Sequence, residues 1–271
     1  MSIHLADNVV TARSLLFVPG DRPDRFAKAV AAGADGVVLD LEDAVAAASK
    51  GAARSHVAAW LESGKTAIVR INAADTPWFA EDLSAIIAGQ GVTVMLPKAS
   101  VDGVAAVASQ IGEQTGIVAL VETAAGILDA AAICQSPNVI RAAFGSVDLS
   151  TELGVDPDDR EALLHARSVL VLASAASGIA PPLDGVTTNV TDADPARADA
   201  AYAARLGFGG KLCIHPAQIA AVNTAFEPGA DEISWARAVL AAGTEGAAKV
   251  DGHMIDAPVL ERARRIVARS A

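Results

Sequence analysis

The chain has 271 residues, of which 52% are hydrophobic and 4% aromatic, and it carries a formal net charge of −11 at pH 7. This negative charge argues against nucleic acid and anionic membranes as partners, because both would repel the chain. The opening residues lack the basic-then-apolar pattern of a signal peptide, and no uninterrupted apolar run reaches the about 18 residues that a membrane span needs.

Eight short apolar runs follow one another along the chain, and each precedes a helical pattern. They recur at intervals of roughly 30 residues, the size of a βαβ unit, and lie at 14–20, 36–43, 66–72, 92–99, 116–124, 139–148, 181–186 and 211–219. The runs lack strict alternation, as strands covered on both faces do. We therefore predict an α/β fold, a (β/α)8 TIM barrel. An open doubly wound sheet is the alternative, but no glycine-rich dinucleotide fingerprint follows an early strand.

The residues after the eighth repeat continue outside the barrel pattern. They comprise a further helix, a turn-rich segment and a final amphipathic helix that begins at Pro258. We expect a barrel domain over 1–225 and a C-terminal helical extension over 226–271. The extension needs a surface to lie on, either its own barrel or a neighbour's. The two cysteines, Cys134 and Cys213, are expected to be buried and fit a reducing, cytoplasmic compartment.

Charged side chains gather at the predicted carboxyl ends of the strands, where barrels of this type carry their chemistry. In chain order they are Arg13, Asp40, Glu42, Asp43, Arg70, Lys98, Glu122, Asp148 and His215. Arg70 shares a strand face with Ile68 and would enter this rim. There it either neutralises neighbouring acids or grips a substrate carboxylate. For Lys98 and His215 we favour a structural role.

Glu122 and Asp148 close the fifth and sixth runs. Glu122 shares a strand face with Val118 and Leu120, so it points toward the interior. Neighbouring parallel strands lie about 4.8 Å apart, so the two carboxylates could meet. Each acid alone could cap a helix or pair with a base, whereas a partly buried pair would share a proton or bind a cation. Mg²⁺ suits the pair, because it needs only one or two carboxylates and completes its shell with water and substrate oxygens.

Small and acidic residues flank this predicted metal site. The turn before Asp148 offers backbone N–H groups that could cradle a substrate carboxylate, and its residues are Gly145, Ser146 and Val147. A group of acids earlier in the chain could orient Arg70 and the waters of the metal, or could cap a helix. Its members are Asp40, Glu42 and Asp43.

The chain resembles the citrate lyase β-subunit family, within the wider HpcH/HpaI aldolase group, along nearly its whole length. The resemblance lies in RSLLFVPGDRPDRFAKA (13–29), LDLEDAV (39–45), VRIN followed by DTPW (69–78), LPK (96–98), VETAAGI (121–127), FGSVDL (144–149), GFGGKLCIHPAQI (207–219) and DGHMIDAPV (251–259). It implies a homotrimer of TIM barrels, with Mg²⁺ or Mn²⁺ held by Glu122 and Asp148 and with Arg70 at the substrate. It also implies that the segment around Arg13 contacts the thioester carrier and that Asp256 reaches into the active site of an adjacent subunit.

The same resemblance implies the activity of a carbon–carbon lyase. The substrate would be a 3-hydroxyacyl thioester of coenzyme A or of an acyl-carrier protein, of the citryl, citramalyl or malyl type. The products would be an acyl thioester and a 2-oxo acid, and protonated Asp256 would deliver a proton to the enolate that cleavage leaves. Two other interpretations stay open. One is a metal-dependent aldolase that joins pyruvate or another 2-oxo acid to an aldehyde, and the other is a non-catalytic barrel subunit of a lyase complex.

Overall fold

The computed structural model describes residues 5–87, 92–242, 249–250 and 253–269. The chain divides into two compact units, Met1–Ala225 and Phe226–Ala271. In the first unit, eight parallel strands pair in chain order, and the last pairs with the first to close a barrel. The strands are β1 (Ser14–Pro19), β2 (Gly36–Asp40), β3 (Ala67–Arg70), β4 (Val92–Leu96), β5 (Ile117–Val121), β6 (Val139–Phe144), β7 (Ala180–Asp184) and β8 (Gly210–Cys213). The predicted (β/α)8 fold is confirmed.

Helices connect the strands. They are α1 (Leu5–Thr11), α2 (Pro23–Val30), α3 (Lys50–Glu62), α4 (Phe79–Ile87), α5 (Val101–Ala108), α6 (Ala124–Leu128), α7 (Ala130–Gln135), α8 (Ser146–Leu153), α9 (Leu164–Ala176), α10 (Asp194–Leu206) and α11 (Ile219–Phe226). Short 3₁₀ turns cover Ala47–Ser49 and Pro216–Gln218. Within the described ranges, no helix is both long and apolar enough to cross a membrane.

Alternate residues of the strands meet in the barrel interior. Val38, Ile68, Met95 and Val118, from four successive strands, are completely buried there. The residues between them face the helices and are buried as well, so that every residue of β4 and of β5 is buried. Because both faces are covered, the apolar runs show no polar alternation.

Helix α1 fills the amino-terminal end of the barrel, a feature that the sequence pattern did not indicate. Val9 and Ala12 pack into the interior cluster. Arg141, near the start of β6, donates hydrogen bonds of 2.7 Å from Nη1 to the carbonyl oxygens of both residues. Its Nε donates to the carbonyl oxygen of Pro181 at 2.7 Å. The buried guanidinium thus stabilises the carbonyl end of α1, where the helix dipole favours positive charge.

The C-terminal unit builds a core of its own. It contains α12 (Ala230–Ala242), a short antiparallel pair of β9 (Lys249–Val250) with β10 (His253–Met254), and α13 (Ala257–Arg269). Its buried cluster consists of Ala236, Val239, Ile255, Ala263 and Ile266. Arg262 lies over the ring of Trp235, with 4.7 Å between the guanidinium carbon and the ring centroid. The two helices therefore hold this unit together through their facing sides.

Candidate functional site

A cavity of about 320 Å³ opens at the carboxyl ends of the barrel strands. Most of its lining residues lie at the ends of strands or in the loops that follow them. They are Phe17, Asp40, Asp43, Ala44, Arg70, Leu120, Glu122, Phe144, Gly145, Ser146, Val147, Asp148, Val186, Thr188, Leu212 and Ile214. The cavity thus brings together most of the side chains that the sequence placed at this rim.

Arg70 is clamped by two acids at the floor of the cavity. Its Nε and Nη2 donate to the two oxygens of Asp40 at 2.7 and 2.6 Å, and its Nη1 lies 2.9 Å from Oε2 of Glu42. Its guanidinium also lies over the ring of Phe17, 4.8 Å from the centroid. Burial alone would lower the pKa of Arg70, but the hydrogen bonds and charge of Asp40 outweigh burial and raise it. The arginine is therefore a permanently charged group with a defined orientation.

Asp40 is completely buried, and backbone groups as well as Arg70 fix the orientation of its carboxylate. Besides Arg70, the carboxylate accepts hydrogen bonds from the backbone N–H groups of Glu42 at 2.9 Å and Ala44 at 3.2 Å. Asp43 is more exposed, and its Oδ2 lies 4.0 Å from Nη1 of Arg70. Asp40 and Glu42 therefore contact Arg70 closely, whereas Asp43 lies at the margin.

Glu122 is the most strongly perturbed acid of the cavity. Only 4% of the residue is exposed, and its Oε1 accepts a hydrogen bond from the backbone N–H of Lys98 at 2.8 Å. A Cβ atom on Gly145 would collide with its side chain, so a glycine is needed there for close approach. Burial, together with the charges of Glu42 and Asp148, raises the pKa of Glu122 to about 8. A cation beside Glu122 would offset much of the unfavourable free energy of burying its negative charge.

Asp148 lies in the first turn of α8, and not at the end of a strand as we predicted. Strand β6 ends at Phe144, and Gly145 caps the helix that begins at Ser146. The Gly–Ser pair thus ends the apolar run earlier than the pattern indicated. A carboxylate in the first turn is stabilised by the helix dipole. The turn of Gly145, Ser146 and Val147 lines the cavity, next to Asp148.

Lys98 has contacts with several acids of the site that sequence reasoning missed. Its backbone has a φ of 47°, a left-handed conformation that non-glycine residues rarely adopt. Its Nζ lies 2.9 Å from Oε1 of Glu42 and 3.7 Å from Oδ2 of Asp148. Burial alone would lower the pKa of Lys98, but Glu42 raises it to about 12. The sequence did carry a signal for these contacts: Lys98 follows β4, Glu122 follows β5, and neighbouring parallel strands end side by side.

A buried polar network holds the turn that carries Glu42. Lys50 donates three hydrogen bonds of 2.7 Å, to the carbonyl oxygens of Leu41 and Glu42 and to Oδ1 of Asn72. Asn72 in turn donates from Nδ2 to Asp82. Burial lowers the pKa of Lys50, although the surrounding acids oppose this effect. Sequence reasoning missed the network, because a lysine at the start of a helix is usually exposed.

Besides Lys98, two further basic residues assigned to the rim, Arg13 and His215, lie outside the lining of the cavity. Arg13 precedes β1 and pairs with Asp35, which precedes β2, through its backbone N–H at 2.7 Å and its Nε at 3.2 Å. Its predicted position at the substrate rim is wrong, because residues before a parallel strand lie at the opposite end of the barrel from residues after it. His215 is exposed and accepts a hydrogen bond at Nδ1 from the N–H of Ala217 at 3.2 Å. This cap is a structural contact.

Asp256 belongs to the C-terminal unit, where it is exposed and caps α13. Its Oδ1 accepts a hydrogen bond from the N–H of Val259 at 3.1 Å, and its carbonyl oxygen accepts one from Leu260 at 3.0 Å. Among the described residues, this carboxylate therefore serves as a helix cap. Its predicted role in catalysis stays a prediction.

The residues present fit a magnesium ion. The described part of the chain contains no group of three or more histidine, cysteine, aspartate or glutamate side chains arranged to hold a metal. Mg²⁺ needs fewer protein ligands, because water and substrate oxygens complete its shell. Glu122 and Asp148 supply two hard oxygen donors at one cavity. A divalent ion between them would also offset the burial of charge that raises the pKa of Glu122.

A closed parallel barrel with a clamped arginine and an acid pair at its carboxyl rim defines a class of protein, the metal-assisted barrel enzyme. The family model described as HpcH/HpaI aldolase/citrate lyase matches residues 13–216. The citrate lyase subunit beta-like protein of Mycobacterium tuberculosis (strain H37Rv) is 40% identical over 265 residues, which cover 94% of each chain. The (3S)-malyl-CoA thioesterase of Cereibacter sphaeroides (strain ATCC 17025) is 35% identical over 270 residues, covering 95% of this chain and 94% of the relative.

A solved structure shows the same similarity over both units. The crystal structure of CitE from M. tuberculosis, in complex with magnesium, acetoacetate and coenzyme A, has a TM-score of 0.84 at 40% identity. The match covers 96% of this chain and 99% of that one. The chain therefore belongs to the HpcH/HpaI aldolase/citrate lyase family, as its motifs predicted, and is a carbon–carbon lyase.

Proposed function

We propose that this protein is a magnesium-dependent lyase that cleaves a 3-hydroxyacyl thioester into an acyl thioester and a 2-oxo acid. The observation that carries the proposal is the meeting of Glu122, Asp148 and Arg70 in one cavity at the barrel rim. The magnesium and coenzyme A in the CitE complex support the same metal and the same carrier here. An acyl-carrier protein is the alternative carrier.

Arg70 binds the substrate carboxylate and stabilises the negative charge that develops during cleavage. Asp40 and Glu42 already hold its guanidinium, so little reorganisation is needed when that charge appears. Mg²⁺, when bound by Glu122 and Asp148, supplies Lewis-acid stabilisation to the substrate oxygens. The backbone at the start of α8 lines the cavity beside them and offers N–H groups to the same carboxylate.

Cleavage breaks the bond between the hydroxyl-bearing carbon and the carbon next to the thioester carbonyl. The hydroxyl group loses its proton to solvent water, and its oxygen becomes the carbonyl oxygen of the 2-oxo acid. The electron pair of the broken bond passes to the thioester as an enolate, whose carbon then takes a proton. The reaction needs no oxidant or reductant.

We assign this last proton transfer to Asp256 of an adjacent subunit. An aspartate has an unperturbed pKa of about 4, so it can donate a proton near neutral pH only when burial raises that value. Asp256 is exposed in the single chain, and docking against a neighbour would bury it. The protein would accordingly act as a cytoplasmic homotrimer, alone or with other lyase subunits, with residues 226–271 as a lid on the next barrel.

The experiment is incubation of the purified protein with Mg²⁺ and a panel of malyl-, citramalyl- and citryl-CoA, followed by chromatography of the products. The proposal predicts acetyl-CoA together with a 2-oxo acid, and loss of both on addition of EDTA. Free CoA with an intact hydroxy acid would indicate a thioesterase. Turnover of an aldol substrate, with none of any thioester, would indicate an aldehyde-dependent aldolase.

A matched pair of variants separates the site from a general effect on the protein. Glu122→Gln removes a proposed metal ligand. Glu113→Gln makes the same chemical change, carboxylate to amide, at an exposed glutamate before β5. Activity should fall by at least about 100-fold in the first variant, on the scale of a lost electrostatic contact in a catalytic site, and should be unchanged in the second. Equal activity in both variants would contradict the proposed site.

A further inference from the structure

The cavity has two unlike sides. One side is polar and carries Asp40, Arg70, Glu122 and Asp148, from the ends of β2, β3 and β5 and from α8. The lining that comes from β7, β8 and the loops after them is apolar and consists of Val186, Leu212 and Ile214, with the exposed Thr188 beside them. A substituent of the substrate that faces the lining from β7 and β8 meets apolar side chains.

The charge of the lining is unbalanced. The described lining contains four carboxylates and one guanidinium, those of Asp40, Asp43, Glu122, Asp148 and Arg70. Arg70 already pairs with Asp40 and Glu42, and the nearby ammonium of Lys98 pairs with Glu42 as well. A bound divalent ion together with Arg70 suffices for one substrate carboxylate. The described lining offers no further cation for a second carboxylate.

The apolar side is held in place by Gln218. Its Nε2 donates to the carbonyl oxygens of Thr187 at 2.8 Å and Asn189 at 2.9 Å, in the loop after β7. Its Oε1 accepts from the backbone N–H groups of Ile214 at 3.0 Å and His215 at 3.3 Å, after β8. One buried amide thus ties the two loops together. Because all its polar atoms are used, the loops present a rigid wall to the cavity.

We infer that the hydroxyl-bearing carbon of the substrate carries a hydrogen atom or a short alkyl group at this wall, and not a second carboxylate. This inference rests on the proposed function and narrows it. The enzyme then releases a 2-oxo monoacid, such as glyoxylate or pyruvate, and discriminates against substrates that would release a 2-oxo diacid. A carboxylate placed at the wall would lie beside apolar side chains and near acids of the same sign, and the described lining offers no further cation to pair with it.

Binding of the oxo acid alone tests the inference without turnover. 2-Oxobutyrate and freshly prepared oxaloacetate have the same carbon skeleton and differ in a methyl group against a carboxylate. Titration of each into the magnesium-loaded protein by calorimetry should show binding of 2-oxobutyrate at least about tenfold tighter. In the thioester panel, malyl- or citramalyl-CoA should likewise exceed citryl-CoA in kcat/KM. Equal or better binding of oxaloacetate would overturn the inference and leave the proposed lyase function standing.

A charge placed on the wall provides a second, independent test. Thr188→Lys adds a cation at an exposed position, and Thr188→Gln adds a side chain of similar reach without charge. The lysine variant should bind oxaloacetate at least about tenfold tighter than the glutamine variant, with 2-oxobutyrate affected much less. Equal affinity of oxaloacetate for both variants would contradict the assigned wall. Failure of wild type to bind any oxo acid or to cleave any thioester would instead overturn the proposed function together with the inference.

Discussion

Lys98 contacts both proposed metal ligands, one through its backbone and the other through its side chain. The N–H group of Lys98 orients Glu122, which requires the rare left-handed backbone, and the ammonium reaches Asp148 and Glu42. Strained backbone of this kind persists where the surrounding contacts over-determine it, as they do at functional sites. The ammonium of Lys98 thus places a positive charge beside the proposed metal site.

Replacement of this ammonium should tighten metal binding. Lys98→Met keeps the backbone N–H for Glu122 and removes a positive charge that repels the ion across a few ångströms. We expect the dissociation constant for Mg²⁺ to fall by about tenfold, or about 1.4 kcal/mol. Calorimetric titration with Mg²⁺ alone measures it, and Lys28→Met, at an exposed position of α2, is the matched control. Unchanged or weaker binding would show that Lys98 supports the ligands more than it competes with the ion.

Metal binding should depend on pH through Glu122. Its pKa is raised by burial from 4.5 to about 8, and Mg²⁺ binds the carboxylate form. Between these values each unit of increasing pH should raise the apparent affinity by about tenfold, and the affinity should level off above about pH 8. Titrations at several pH values measure this slope. A slope that persists in Glu122→Gln would assign the pH dependence to another group.

The same shift has a consequence for the stability of the metal-free protein. An acid whose folded pKa lies above its unfolded value destabilises the fold once it loses its proton. Stability should therefore decrease as the pH rises from about 4.5 through about 8, where the carboxyl group of Glu122 becomes charged. Thermal melts with and without Mg²⁺ should diverge over this interval, with the metal restoring the loss. Parallel melting curves would contradict a buried, titrating Glu122.

At the scale of elements, the packing of α1 against the barrel depends on one side chain of β6. Arg141→Met would leave the carbonyl oxygens of Val9, Ala12 and Pro181 without the donors they now have. Each buried acceptor left unpaired costs about 1–3 kcal/mol. We expect the free energy of unfolding to fall by about 3 kcal/mol or more, measured by urea denaturation.

The position of Arg141 makes this prediction specific. The residue lies near the amino end of its strand, away from the cavity, so Mg²⁺ affinity should stay at the wild-type value in protein that remains folded. Arg197→Met, on the surface of α10, removes an arginine whose side chain is 56% exposed and should cost little. Similar stability of the two variants would contradict the role of Arg141. Arg141→Lys serves as a second variant if the methionine variant does not fold.

The strands were predictable from the sequence because their residues are buried on both faces. The run at 92–99 corresponds to β4 (Val92–Leu96), and the other runs also begin within a residue of their strands. The predicted runs extended too far at their carboxyl ends, because small and apolar residues such as Gly145 and Val147 follow the strands in the segments that line the cavity. Helix α1 could not be predicted, since its partner Arg141 lies more than a hundred residues away.

The site was predictable only in part. The period-two alternation of strands was enough to predict that Arg70 and Glu122 face the rim, because Ile68 and Leu120 on the same strand faces are interior residues. The left-handed backbone of Lys98 leaves no signal in its own sequence, since tertiary contacts impose it. The placement of Arg13 failed for a geometric reason, namely that it precedes its strand. The roles of these residues in binding and catalysis stay predictions.

For the whole molecule, the open question is whether one active site is shared by two chains. Asp256→Asn separates the two roles of this residue, because asparagine caps a helix as well as aspartate does but cannot donate the proton. Asp256→Asn subunits, inactive alone, should regain activity when reassembled with inactive Glu122→Ala subunits. Random mixing at equal amounts in a closed ring would restore about a quarter of the sites. Subunit exchange followed by an activity assay measures the recovery.

Two controls decide how that mixing experiment is interpreted. Each variant reassembled with itself should stay inactive, and native mass spectrometry should prove that mixed oligomers form. Proven mixed trimers without activity would place Asp256 in its own subunit's site or outside catalysis. A monomeric protein in solution would contradict the shared lid altogether.

The hydrogen bonds from Arg141 to α1 also set an order of events during synthesis. Helix α1 leaves the ribosome well before β6, because the guanidinium that stabilises its end is separated from Val9 by 132 residues. At about 5–20 residues per second, roughly 7 to 26 seconds pass before that partner emerges. Strand β1 lacks one of its two pairing partners for longer still, because that partner is β8, the last strand of the barrel. Until then Val9 and Ala12 have no barrel interior to pack into, and these apolar side chains stay exposed on the nascent chain.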